Sequence, residues 1–120
     1  MSRLLATAAV AISLAVSAAE LRGPLPILSV PYHDDGALDV ETLVKEARFV
    51  ADAGVGGFIW CQSNDAIDLL TREEKMRSFA ALARAFEQAD VYVILGCQGR
   101  DTDEMVALAT EVERLAAAHP

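Results

Sequence analysis

The 120-residue chain has the length of one ordinary domain, with material for a single core. Apolar residues make up 53% of it and the formal net charge is −8, with ten basic residues scattered rather than clustered. That balance argues against a nucleic-acid partner or an anionic membrane surface, both of which need a block of Lys and Arg.

In chain order, the N-terminus comes first. Arg3 gives a short positive n-region, and Leu4 to Val16 is apolar apart from Thr7 and Ser13. Ser17-Ala18-Ala19 then offers the small residues that a signal peptidase needs before Glu20. The apolar stretch is shorter than the ~20 residues of a membrane span. Residues 1–19 therefore read as a signal peptide and the chain as exported, periplasmic or secreted. A retained membrane anchor, or a cytoplasmic chain with a buried N-terminal helix, is the alternative.

Three strand–loop–helix units follow. Pro26-Ile27-Leu28-Ser29-Val30 reads as a short strand stopped by Pro31. The turn His33-Asp34-Asp35-Gly36 follows, and Asp39 can cap a helix whose apolar face is Val40, Leu43, Val44, Ala47, Val50 and Ala51. Gly54 is its expected stop. The second unit opens with Gly57-Phe58-Ile59-Trp60-Cys61, a continuous apolar run suited to a strand covered on both faces. After the loop Gln62-Ser63-Asn64-Asp65, Thr71 and Glu74 form a capping box. Met76, Phe79, Ala80, Ala83 and Phe86 make the buried face of that helix. The third unit is Val91-Tyr92-Val93-Ile94-Leu95, then Gly96-Cys97-Gln98-Gly99, then a second capping box from Asp101 to Glu104. Met105, Leu108, Ala109, Val112 and Leu115 are its helix's expected inner face.

The strand starts at Pro26, Gly57 and Val91 are 31 and 34 residues apart, the size of one βα unit. Periodicity alone leaves a small open sheet and the opening of a barrel both standing. Cys61 and Cys97 close adjacent strands and read as small apolar packing residues, with a disulfide or reactive pair as the alternative. Lys45 and Lys75 fall on helices, away from any desolvated site. Arg100 is the one cation expected near the carboxyl ends of the strands, where Tyr32 could also line a pocket. No CxxC or His-rich spacing suggests a metal, and His33 and His119 are far apart.

Several stretches together resemble the N-terminal part of the dihydrodipicolinate synthase and N-acetylneuraminate lyase family. "PILSVPYHDDGALDVETL" is similar to that family's first strand, its Thr-Pro-Phe type turn and the Asp-Gly turn before the first helix. "ADAGVGGFIW" resembles its Ala-Gly-Val-Asp-Gly lead into strand two. "LLTREEKMRSF" resembles its Leu-Ser-x-Glu-Glu-Arg helix start, and "YVILGCQGRDTDEMVALA" its third strand, Gly-rich turn and helix.

The resemblance implies an α/β fold, the first three βα units of a TIM (β/α)8 barrel, incomplete in this chain and running over residues 20–120. A complete barrel of this kind takes ~250 residues. It also implies a lyase or aldolase that acts on a small 2-oxo acid such as pyruvate. The reaction would run through a Schiff-base lysine expected beyond residue 120 and a tyrosine after strand four. No cofactor and no metal are implied, and the full-length protein is expected to be a homo-oligomer. The family's Gly-Thr-Thr-Gly-Glu motif, which binds the substrate carboxylate, falls on Gln62 to Ala66. Ser63 keeps a hydroxyl and Asn64 replaces the second one, so Ser63 and Asn64 are the implied substrate-binding residues. Gln62 and Asp65 stand in for the glycines and Ala66 for the glutamate. A non-catalytic exported barrel binding a small carboxylate, or a truncated inactive fragment, is the alternative.

Overall fold

The computed structural model describes residues 21–63 and 67–119. Its elements are α1 (Val40–Asp52), β1 (Gly57–Trp60), a 3-10 turn (Ile67–Leu69), α2 (Arg72–Ala85), β2 (Tyr92–Leu95) and α3 (Thr102–Ala118). β1 and β2 pair in parallel, from Gly57 with Tyr92 to Trp60 with Leu95. The signal-peptide reading of residues 1–19 lies outside the described residues.

The expected first strand is reduced to one parallel bridge, Ile27 with Ile59. Leu28 N–H donates to Ile59 O at 2.9 Å, and Ile59 N–H donates to Pro26 O at 2.8 Å. The ladder goes no further because the next step would run through Cys61, whose left-handed backbone (φ +72°) takes β1 out of the extended conformation. The Ser29 N–H, which faces the other edge of the segment, donates to Glu46 Oε1 on α1 at 2.8 Å. The spatial order, first segment then β1 then β2, is nevertheless the expected one.

The helices begin where capping chemistry puts them. Asp39 accepts from Thr42 N–H at 2.9 Å at the start of α1, and Gly54, at φ +83°, follows its end. Thr71 and Glu74 form the complete capping box of α2. The second expected box is only half made. Asp101 accepts from Glu104 N–H at 2.8 Å, but the Glu104 carboxylate reaches past Asp101 to accept from Arg100 N–H at 2.8 Å. Gly99 makes room for it, since a Cβ there would lie 2.8 Å from Glu104 Cβ.

All three helices lie on one face of the sheet. Phe58 and Trp60 are fully buried under them with Leu43, Ala47, Phe79, Leu82 and Leu108. The Phe58 and Phe86 rings meet edge to face with centroids 5.0 Å apart. Two expected inner positions of α3 are corrected, because Met105 (46% exposed) and Ala109 face outward. Its buried stripe is Glu104, Leu108, Val112 and Leu115, a helix turned so that a carboxylate heads the apolar row. The other face of the sheet carries Ile27, Ile59 and Ile94, none of them part of the core cluster.

Candidate functional site

The loops that follow β1 and β2 leave the same end of the sheet and touch there. Gly96 N–H donates to Trp60 O at 2.8 Å, carrying the pairing one step beyond the strands. A Cβ on Gly96 would sit 2.2 Å from Cys61 O, so only glycine lets the two chains approach this closely. Cys61 itself has φ +72°, a left-handed backbone that side-chain-bearing residues rarely adopt. The turn ends β1 abruptly and starts the loop Gln62-Ser63. Backbone strain of this kind concentrates at functional sites.

Ser63 is exposed in that loop, and its implied partner Asn64 lies outside the described residues. Tyr32, 37% exposed, is bridged antiparallel to Leu38 across the His33–Gly36 turn. Glu74 ties this first loop to α2: its Oε1 accepts from Leu38 N–H at 3.0 Å and its Oε2 from Thr71 N–H at 2.9 Å. Those two donors hold the Glu74 carboxyl below its usual range, the Leu38 bond contributing most.

The lysine reading needs correcting. Lys45 is on the solvent side of α1, paired with Glu41 at 2.6 Å. Lys75 is buried, at 3% exposure, in the first turns of α2. Its Nζ donates to Gln98 O at 3.4 Å and lies 3.8 Å from Glu104 Oε1. Arg100 is therefore not the only cation at this end. It is exposed and its Nε lies 3.3 Å from Glu104 Oε2. The Arg100 N–H, more than any other group, keeps Glu104 ionised below its usual range. Gln98 Oε1 is buried and accepts no hydrogen bond from the described residues. A cleft of about 450 Å³ opens beside this cluster, lined by Leu70, Arg72, Lys75, Arg100 and Glu104 among others.

Cys61 and Cys97 are both free. Burial pushes the Cys61 thiol up to about 11, with Lys75 pulling it down and Cys97 adding to the rise; burial also raises Cys97. Trp60 is core, as its sequence context suggests. Its Nε1–H donates to Ser78 Oγ at 2.8 Å, and Ser78 in turn donates to Lys75 O at 2.7 Å. His33 sits beside Asp39 and His119 beside Glu87. Among the described residues no three His, Cys, Asp or Glu side chains gather as metal ligands.

What the arrangement resembles is clear from comparison with known proteins. The Dihydrodipicolinate synthetase family model matches residues 20–118. The chain is 31% identical over 94 residues to the 4-hydroxy-tetrahydrodipicolinate synthase of Haloarcula marismortui, covering 78% of this chain and 30% of that protein. It is 34% identical over 89 residues to an uncharacterised DapA-like lyase of Halobacterium salinarum, covering 74% of this chain and 29% of that one. Among solved structures, N-acetylneuraminate lyase of Fusobacterium nucleatum superposes with a TM-score of 0.72 at 25% identity, over 79% of this chain and 33% of that one. A prophage protein of E. coli from the dihydrodipicolinic acid synthase family, solved in complex with pyruvate, gives 0.72 at 23% identity, over 81% and 32%.

The chain thus spans about a third of the length of the relatives it matches. Its helices on one face of a parallel sheet are the α/β arrangement of a partial TIM barrel, with the loops after β1 and β2 at the carboxyl-terminal mouth. By the family model's match over residues 20–118, the chain belongs to the dihydrodipicolinate synthetase family.

Proposed function

We propose that the chain is the opening portion of a lyase or aldolase that acts on a pyruvate-like 2-oxo acid. The observation that carries this reading is the family match over residues 20–118, together with the position of the Gln62-Ser63 loop at the carboxyl end of β1. In barrels of this kind that end is where catalytic residues sit. Ser63 and Asn64 supply a hydroxyl and an amide, both able to donate to a substrate carboxylate. The carbonyl chemistry falls to a Schiff-base lysine beyond residue 120. Lys75 does not fill that role, because its ammonium is held between the 98 carbonyl and Glu104. The full-length protein assembles as a homo-oligomer and is exported by residues 1–19.

The test is borohydride reduction of the full-length gene product in the presence of pyruvate. The expected outcome is a covalent adduct on a lysine beyond residue 120, with Ser63→Ala raising KM by about tenfold, the cost of one charge-assisted hydrogen bond. An adduct on Lys45 or Lys75 would overturn the reading, as would the absence of any adduct. Replacement of both motif glycines, by Gln62 and Asp65, favours a second reading: a non-catalytic barrel that binds a small carboxylate. Saturable pyruvate binding without adduct formation would select it.

A further inference from the structure

Cys61 and Cys97 are the chain's two cysteines, and the reaction proposed above uses neither. The ladder that pairs Trp60 with Leu95 sets Cys61 opposite Gly96, with Cys97 one residue beyond. With strands about 4.8 Å apart and a rise of about 3.3 Å per residue, such diagonal α-carbons lie about 6 Å apart, inside the disulfide window. In two regular strands these neighbours would point to opposite faces. The left-handed backbone at Cys61, φ +72°, breaks that alternation. Cys61 is 2% exposed in the helix-side core, and Cys97 packs against the same cluster. Gly96, with no Cβ to hold the chains apart, lets the two strand ends meet.

We propose that Cys61 and Cys97 are a redox pair, which a small-molecule disulfide oxidises to an intramolecular disulfide that staples the loop after β1 to the loop after β2. Half-buried Cys97 is the thiol a solute reaches. Its thiolate attacks one sulfur of the oxidant, forming a mixed disulfide and releasing the first small thiol. Cys61, as thiolate, then attacks Cys97 Sγ and releases the second. The protein thiols lose two electrons to the oxidant's disulfide bond, and their two protons end on the two released thiols. The staple fixes Gln62-Ser63 against Gln98–Arg100, so the oxidation state of the pair sets how far the candidate site can open.

Burial makes the switch slow at neutral pH. With the Cys61 thiol pushed up to about 11, and Lys75 on α2 the cation that pulls it down, thiolate is scarce at pH 7. Closure therefore accelerates about tenfold per pH unit between pH 7 and 9.

The experiment incubates the native chain with oxidised and reduced glutathione at about pH 8.5, where closure should run about thirtyfold faster than at pH 7, beside the same chain unfolded in urea. Acid-quenched samples are read by intact mass, thiol titration in denaturant and peptide mapping. The expected native product is a monomer that has lost two hydrogens and both titratable thiols, with a peptide joining Cys61 to Cys97. It should form at a glutathione ratio at least about tenfold more reducing than the urea-unfolded chain requires, because the fold holds the thiols together. Cys61→Ser should stop at a glutathione adduct on Cys97. Three results would overturn the proposal: both thiols surviving in the native chain while the unfolded one oxidises, glutathione accumulating on both cysteines, or a disulfide-linked dimer.

Discussion

Gly96 is the residue on which the mouth of the site depends most directly. A methyl group there meets the Cys61 carbonyl at 2.2 Å, a backbone atom that no rotamer change can move aside. Gly96→Ala should cost about 1–3 kcal/mol in urea unfolding, the range of an overpacked core. Gly54, with open space around its α-carbon, should lose only about 1 kcal/mol on substitution with Ala, through its positive φ. If the two variants fall together, the close approach is not real. Ser78 offers a second residue-scale check. Ser78→Ala removes the hydroxyl that accepts from the buried Trp60 indole N–H, and should cost about 1–3 kcal/mol. Trp60 was legible as core from its apolar run, but its hydrogen bond was not, since the partner is 18 residues away. Burial of Lys75 was legible in principle. Lys75, Phe79, Leu82 and Phe86 are spaced four, three and four residues apart, the stripe of a buried helix face. Glu104 heads the corresponding stripe of α3, and the two charges meet where the stripes begin. Reading only the apolar members of each stripe hides such a pair.

At the scale of elements, the sequence marked the helix starts well because each cap is local chemistry. Asp39, Thr71 and Asp101 all cap as expected. What it could not show is where a capping carboxylate goes once tertiary partners compete, and Glu74 and Glu104 each serve a neighbouring loop as well as their own helix. Backbone N–H donors hold Asp39, Glu74 and Glu104 below their ordinary values, through Thr42, Leu38 and Arg100 respectively. A carboxyl lowered in the folded state contributes stability that is complete above its unfolded pKa and lost as pH falls through the folded one. The urea midpoint should therefore be flat above about pH 5.5 and fall as the pH drops below about 4.5. Glu74→Gln should flatten part of that acid limb, and a midpoint that rises on acidification would contradict the linkage. Thr71→Ala removes the cap and also the hydroxyl that donates to Glu74 Oε2 at 3.1 Å, so it should lower stability by about 1 kcal/mol at neutral pH and by less in acid, where that carboxylate is protonated. The first strand failed for an element-level reason. Its apolar pattern is sound, but its pairing partner leaves the extended conformation at Cys61, so only one bridge forms.

The whole molecule is a helix layer over one face of a parallel sheet, which is how the outer half of a TIM barrel wall is built. The order of units and the family were both legible in the sequence, through motif spacing that any barrel of this family must keep. The substrate was not, because the loop from Gln62 to Ala66 departs from the family's motif. The sheet's other face has a direct physical consequence for the 120-residue chain taken alone. Ile27 is 42% exposed and Tyr92 39%, and Ile59 and Ile94 lie outside the core cluster on the same side. In a complete barrel this face is covered by side chains from the remaining strands. Left open, it is a contiguous apolar patch beside a strand edge, the kind of surface that associates. The isolated chain should therefore bind a hydrophobic dye such as anilinonaphthalene sulfonate and elute above its monomer mass in size-exclusion chromatography. Replacing Ile27 and Ile94 by Thr should weaken both signals and cost the isolated chain only about 1 kcal/mol, because Ile27 keeps 42% of its surface exposed and Ile94 is only partly buried. The same double variant in a full-length barrel should instead cost about 2 kcal/mol or more, since there the two positions would be core. If the double variant unfolds the isolated chain as readily, the two isoleucines are packed, and the inner face is not open.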